Sequence, residues 1–178
     1  MGKTYLAIDL GAESGRAILG RLEAGKLTTK EVHRFPNRTD SSTGRLRWDF
    51  PALMKEVHEG IRRGAEKNRG RLDGIAVDSW GVDYGLLDEK GRLLENPVHY
   101  RDEGHAGEAD RFTAGILGRE ELFCRTGVQL IDFNTLFQLT AQNRLDPETL
   151  SRARHLLHIG DLVSCLLGGR PASELTIA

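Results

Sequence analysis

The sequence predicts an α/β fold built on a mixed sheet, and three observations lead there. Three successive β-like runs, joined by tight turns rich in small residues, open the chain. A helical period then starts at Pro51 and leads into a new apolar strand, a crossover that adds a parallel strand to an antiparallel meander. From about residue 106 onward helical patterns prevail.

Taken in order, residues 4–10, 16–23 and 26–35 read as strands, with Ala24-Gly25 as the second turn. The polar, Pro/Ser/Thr-rich stretch 36–44 reads as a surface loop and 45–48 as a short edge strand. From Pro51, the residues Leu53, Met54, Val57, Ile61 and Ala65 recur on one helical face. Asp49 lies at the start of that helix and Arg62, Arg63 and Lys67 lie toward its end, each sign suiting the helix dipole. Gly60 and Gly64 lower helix propensity, and close packing on the sheet is their expected role. Strands are predicted over 74–78 and 82–88, separated by Ser79-Trp80-Gly81, with a short extended segment over 98–102. Helices are predicted over 106–117, 120–126 and 135–145, followed by a short one opening at Asp146-Pro147. The last elements are a strand over 155–158, a helix over 160–167 stopped by Gly168-Gly169, and extended backbone over 172–177.

Composition narrows the function. With 178 residues and 39% hydrophobic content, the chain can bury one good-sized core, so one domain is expected. A net charge of −1 gives no electrostatic reason to expect a nucleic acid or an anionic membrane as partner. No apolar run approaches the roughly 20 residues of a membrane span, and Met1-Gly2-Lys3 leads into a strand rather than a signal peptide. A cytoplasmic protein is the expectation. Cys124 and Cys165 lack C-x-x-C or zinc-like spacing and are expected as buried free thiols. His155 and His158 are spaced like a metal pair, but Asp161 is the one carboxylate nearby, so no metal is assigned to them. The other histidines are expected on the surface or in turns. The charged run 62–71 reads as a solvated helix face.

The chemistry gathers around Ala7-Ile8-Asp9-Leu10-Gly11-Ala12-Glu13-Ser14-Gly15-Arg16. An apolar strand ends in Asp9, a turn of small residues follows, and a returning strand begins. Small residues let the backbone of such a turn come close to a ligand, and consecutive N–H groups can form an anion-binding nest. Asp9 suits a Mg²⁺ ion carrying waters and phosphate oxygens, and Arg16 would add charge-assisted hydrogen bonds. The same pattern also fits a plain hairpin with Asp9 solvated. A Walker A loop is excluded, because G-x-x-x-x-G-K-[ST] is missing, and a Rossmann fingerprint is excluded because a strand follows the turn.

A second constellation, Asp78-Ser79-Trp80-Gly81-Val82-Asp83, places two acids around a glycine between two strands, with Tyr100-Arg101-Asp102 soon after. Asp and Arg are natural ligands for sugar hydroxyls, and Trp80 offers a surface for a sugar's apolar face. A β-turn with Asp78 capping and Trp80 in the core fits equally well. A hydrolase elbow does not, since Val77 stands where G-x-S-x-G needs its first glycine.

Five blocks in this order resemble the FGGY carbohydrate kinases: Ile8 to Arg16, Trp48-Asp49, Asp78 to Tyr84, Tyr100-Arg101-Asp102, and Asn134-Thr135-Leu136-Phe137-Gln138-Leu139. The resemblance runs from about Tyr5 to Ala178. It implies an actin-like, ribonuclease-H-like fold of two domains with ATP and sugar meeting in the cleft, and transfer of the γ-phosphoryl group of ATP to a sugar. The ketose L-rhamnulose, at its 1-hydroxyl, is the implied acceptor. Carried over by position, Ala12, Glu13, Ser14, Gly15 and Arg16 would line the ATP phosphates, and Asp9 would hold Mg²⁺ through water. Gly81 would contact the ketose, with Trp80, Asp83 and Arg101 as further pocket members. The family usually has Ser where this chain has Glu13, so Glu13 is expected to point outward and offer its backbone N–H.

The family's general base is an Asp in a His-Asp pair well beyond the matched region, and this sequence has no Asp after Asp161. Residues 1–178 are therefore expected to form most of the N-terminal domain, without a catalytic base, without the C-terminal nucleotide-binding domain, and inactive alone. The chain also stops without a polar tail, as a truncated one would. Two other readings stay open: a different kinase or ATPase of the actin-like superfamily, and a non-catalytic sugar- or phosphate-binding regulatory domain.

Overall fold

The structure is a computed structural model and describes residues 2–177. Its elements in chain order are β1 (Lys3–Leu10), β2 (Ser14–Glu23), β3 (Lys26–Pro36), β4 (Thr39–Asp40), β5 (Arg47–Trp48), α1 (Phe50–Lys67), β6 (Gly74–Ser79) and β7 (Tyr84–Leu87). A 3-10 turn (Glu103–His105) follows, then α2 (Glu108–Gly115), α3 (Arg119–Thr126), α4 (Thr135–Leu145), α5 (Pro147–Arg152), β8 (His155–His158) and α6 (Ile159–Leu166). The chain divides into two compact units, one formed by residues 1–38, 48–81 and 157–178, the other by 39–47 and 82–156. One core was expected from composition; instead the middle of the chain builds a cluster of its own.

The first unit is the mixed sheet, in the order β3-β2-β1-β6, with β1 antiparallel to β2 and parallel to β6. Ala24 and Gly25 both take positive φ, +48° and +77°, as a two-residue hairpin turn requires. Period-2 alternation sends Leu6, Ile8 and Leu10 to one face, where they are 0–2% exposed. That face receives α1, whose N-terminus is capped by Asp49 through the Ala52 N–H at 3.1 Å. Leu53, Val57, Gly60 and Gly64 form its deepest stripe. A Cβ on Gly60 would lie 2.7 Å from the Ala17 Cβ, and one on Gly64 2.7 Å from Leu6 Cδ1, so both glycines serve close packing on the sheet. Across the sheet's end, α6 packs on β6 and buries Ile159, Leu162 and Val163.

The second unit is mostly helical. Ala109, Leu122 and Phe137 form its apolar centre, with Phe112, Leu117, Leu130 and Leu136 packed around them. Buried charges tie its elements together. Glu108, 1% exposed, pairs with Arg111 and Arg144. Asp132 accepts the Gly107 and Ala109 N–H groups at 2.9 Å each and so caps α2. Asp102 accepts from Arg45 Nε at 2.7 Å, the Leu46 N–H at 2.6 Å and the Gly104 N–H at 2.9 Å, fixing the 45–47 segment beside the 3-10 turn.

Several sequence expectations change. The 45–48 segment is a strand only at Arg47–Trp48, and it pairs with β4 in a separate two-stranded sheet rather than at the edge of the main one. The 82–88 strand begins at Tyr84, because Val82 takes a φ of +67°, and it pairs with β8. Within 98–102 Val98 alone bridges, to Arg47, before the chain turns. The 106–117 helix is confined to Glu108–Gly115, with Gly107 left-handed in front of it. Over 172–177 the backbone turns, the Ile177 N–H donating to the Glu174 carbonyl at 3.3 Å. The thiols are free as expected, yet Cys124 is exposed and Cys165 half-buried. His99 and His105 are buried, at 6% and 3%, rather than on the surface, because ring and backbone partners in the second unit enclose them.

Candidate functional site

The glycine turn joins β1 to β2. It closes with the Gly11 N–H donating to the Ser14 carbonyl at 2.9 Å. Register then places Arg34, Arg16, Asp9 and Asp78 side by side on β3, β2, β1 and β6, and neighbours so paired share one face of the pleat. Asp9 and Arg16 form an ion pair. Both remain partly exposed, so the pair is a modest contributor to stability and a ready polar surface. Arg34 is engaged by Glu31 at 2.6 Å, and this bond, helped by the charge of Arg16, lowers the Glu31 carboxyl below its ordinary value.

Gly15 has a steric reason to be glycine. A Cβ there would come within 2.3 Å of the Phe35 ring, which is buried beneath the turn. Beyond Phe35, Asn37 grips the turn twice: its N–H donates to the Glu13 carbonyl at 3.0 Å and its Nδ2 to the Gly11 carbonyl at 2.5 Å. Asn37 Oδ1 is buried without a hydrogen-bond partner. Sequence reasoning placed Asn37 in a polar loop and gave it no role. Glu13 is exposed.

The second constellation divides between the two units. Trp80 and Gly81 belong to the first, where Trp80 packs on buried Trp48 with ring centroids 4.5 Å apart and Gly81 is exposed. Asp83 and Arg101 belong to the second. Asp83 is fully buried and accepts from Gln138 Nε2 at 3.0 Å and from the Tyr100 N–H at 3.3 Å. Arg101 is exposed and lies over the Tyr100 ring at 5.2 Å. Tyr100 in turn stacks on His99 at 4.4 Å and meets the edge of Phe133 at 6.1 Å. Burial, and then the charge of Arg101, push the His99 imidazole down to about 4. Burial opposes ionisation of Asp102, but its bonds to the Leu46 N–H and Arg45 prevail, and the carboxyl stays below its ordinary value.

Among the described residues no group of three or more His, Cys, Asp or Glu side chains is placed to hold a metal. A Mg²⁺ ion at Asp9 would therefore rely on phosphate oxygens and water, which matches the way this ion is usually held. No helix among the described residues is long and apolar enough to cross a membrane.

Residues 4–178 match the N-terminal domain of the FGGY family of carbohydrate kinases. The chain is 38% identical over 178 residues to a rhamnulokinase of Bacteroides thetaiotaomicron, covering 100% of this chain and 36% of that protein. It is 40% identical over 175 residues to one from Klebsiella pneumoniae, covering 97% and 36%. Among solved structures it is similar to xylulose kinase from Rhodospirillum rubrum, with TM-score 0.81 at 21% identity, covering 100% of this chain and 37% of that one. Gluconate kinase from Lactobacillus acidophilus gives TM-score 0.77 at 16% identity, covering 92% and 32%. The fold is thus the actin-like one of the sugar kinases, and this chain, which spans about 36% of the length of the curated relatives it matches, belongs to the FGGY family of carbohydrate kinases.

Proposed function

We propose that the chain is the phosphate-cradling and sugar-binding part of an ATP-dependent kinase that phosphorylates L-rhamnulose at its 1-hydroxyl. The observation that carries this reading is the 34–40% identity to rhamnulokinases over essentially the whole chain. The local structure is consistent with it: Ala12, Glu13, Ser14, Gly15 and Arg16 form the β1–β2 turn and the start of β2, where Glu13 is exposed, and Asp9, paired with Arg16 at the end of β1, is partly exposed and open to a hydrated Mg²⁺. Magnesium-bound ATP supplies the phosphoryl group and neutralises charge as it is transferred. The chain's own residues orient it. Arg16, held by Asp9, keeps a guanidinium at the turn. For the ketose the first unit offers Gly81 and Trp80, and the second offers Arg101, which is exposed, and Asp83, which is fully buried.

The group that takes the hydroxyl's proton lies outside these residues in this reading, so the 178-residue chain alone turns over no sugar. The test is a coupled kinase assay with ATP and Mg²⁺ on the full-length protein and on the 178-residue chain, using L-rhamnulose, D-xylulose, glycerol and gluconate. L-Rhamnulose should be the best acceptor for the full-length protein, with no turnover by the shorter chain. Asp9→Ala should lower turnover at least about 100-fold with an unchanged circular dichroism spectrum. Preference for another acceptor would reassign the sugar, and turnover of none would end the kinase reading.

A further inference from the structure

Val82 sits in the left-handed region at a φ of +67°. A β-branched residue enters that region only where its surroundings over-determine it. Here the surroundings are the first turn of α4. The Val82 carbonyl accepts from Thr135 Oγ1 at 2.8 Å and from Gln138 Nε2 at 3.3 Å. The Gln138 amide also donates to Asp83 Oδ1 at 3.0 Å and to the Phe133 carbonyl at 2.7 Å. Gln138 and Asp83 are 2% and 0% exposed, so the bond between them is made where water cannot replace it. Strained backbone concentrates at sites that use the geometry it imposes, and this strain falls next to Gly81 and Asp83.

We infer that Thr135 and Gln138 are positioning residues for the sugar. They hold the Val82 peptide in its left-handed form and thereby fix how the chain presents the neighbouring Gly81 and Asp83. This rests on the sugar-kinase reading above, and it gives a task to the Asn134–Leu139 block, which the sequence singled out without one. A residue that served stability alone would lower the melting temperature when altered and leave substrate affinities together. A positioning residue separates them.

The experiment measures KM for L-rhamnulose and for ATP, with melting temperatures, in full-length wild type, Thr135→Val, Thr135→Ser, Val82→Gly and the Thr135→Val/Val82→Gly double variant. Thr135→Val keeps the shape and deletes the donor. It should raise the sugar KM five- to twentyfold while the ATP KM stays within twofold, and Thr135→Ser should restore the sugar KM. Val82→Gly reaches positive φ unaided but does not stay there, so it should raise the sugar KM as well. Because both act through one peptide, the double variant should add less than twofold to the larger single effect. A sugar KM within twofold of wild type in Thr135→Val, equal rises for sugar and ATP, or fully additive effects would overturn the inference. Should Thr135→Val not fold, Val82→Gly decides by the same split between sugar and ATP. A wild type that phosphorylates no ketose removes the kinase reading and this inference together, an outcome seen before any substitution is made.

Discussion

In the first unit the deepest positions are hydrocarbon and glycine: Leu6, Ile8 and Leu10 lie against the stripe that Gly60 and Gly64 open along α1. In the second, Asp83, His99, Asp102, His105, Glu108, Gln138 and Gln142 are all buried beside the apolar side chains. One unit is specified by backbone period and available volume, the other by which polar atom meets which. The first should therefore respond most to added volume, and the second to lost charge or to pH.

The largest effect should come from breaking the second unit's polar ties. Asp102→Ala removes the acceptor shared by Arg45, the Leu46 N–H and the Gly104 N–H and leaves the mostly buried Arg45 unpaired. Loss of one partner of a buried pair costs about 3–5 kcal/mol, to be measured by urea denaturation. A cost near zero would mean that apolar packing, not pairing, holds this unit too.

Acid should come next. The folded His99 resists its proton until about pH 4, whereas an unfolded imidazole binds one near pH 6.5. As pH falls through that window the unfolded chain gains the proton first, so stability is full above about pH 6.5, declines toward pH 4 and then levels off as far as this group is concerned. At about 1.4 kcal/mol per pH unit the loss approaches about 3 kcal/mol. His105, also held below its ordinary value by burial, should act in the same direction. Denaturation midpoints of wild type and His99→Gln between pH 7 and 4 would sharpen the contrast, the variant losing less over that range.

The smallest of the three effects belongs to the first unit. Gly60→Ala adds helix propensity, worth about 1 kcal/mol, but drives a methyl to within 2.7 Å of the Ala17 Cβ. Overpacking of this kind costs about 1–3 kcal/mol, so a small net destabilisation in urea is expected. A gain in stability would show that α1 can lift from the sheet.

The same contrast explains what could be read in advance. The meander, its Ala24-Gly25 turn and the α1 stripe follow from periods of two and 3.6 and from residues whose backbone preference is local. The bounds Thr135–Leu145 were legible, as was Asp146 before α5. His99 and His105 were not: their neighbours Tyr100, Asp102 and Glu108 are close in sequence, but no period of two or 3.6 marks positions 99 and 105 as buried. At the glycine turn, Asp9 and Arg16 were visible as chemistry, but their pairing with each other comes from hairpin register. Asn37 escaped because its grip reaches 26 residues back, to Gly11. Val82 escaped because a valine in a β-rich context argues for a strand, and the donors that meet its carbonyl lie on α4, more than 50 residues on.

The first unit is also discontinuous in the chain: α6, which packs on β6, follows only after the whole of residues 82–156. On a ribosome that interval lasts on the order of ten seconds at roughly 5–20 residues per second, whereas hairpins close in microseconds. The nascent β3-β2-β1 meander can thus form early, while the cover over β6 must wait for a segment that has not yet been made. Through that wait Val77 and Ser79, which Gly160 of α6 later meets, are uncovered on an edge strand.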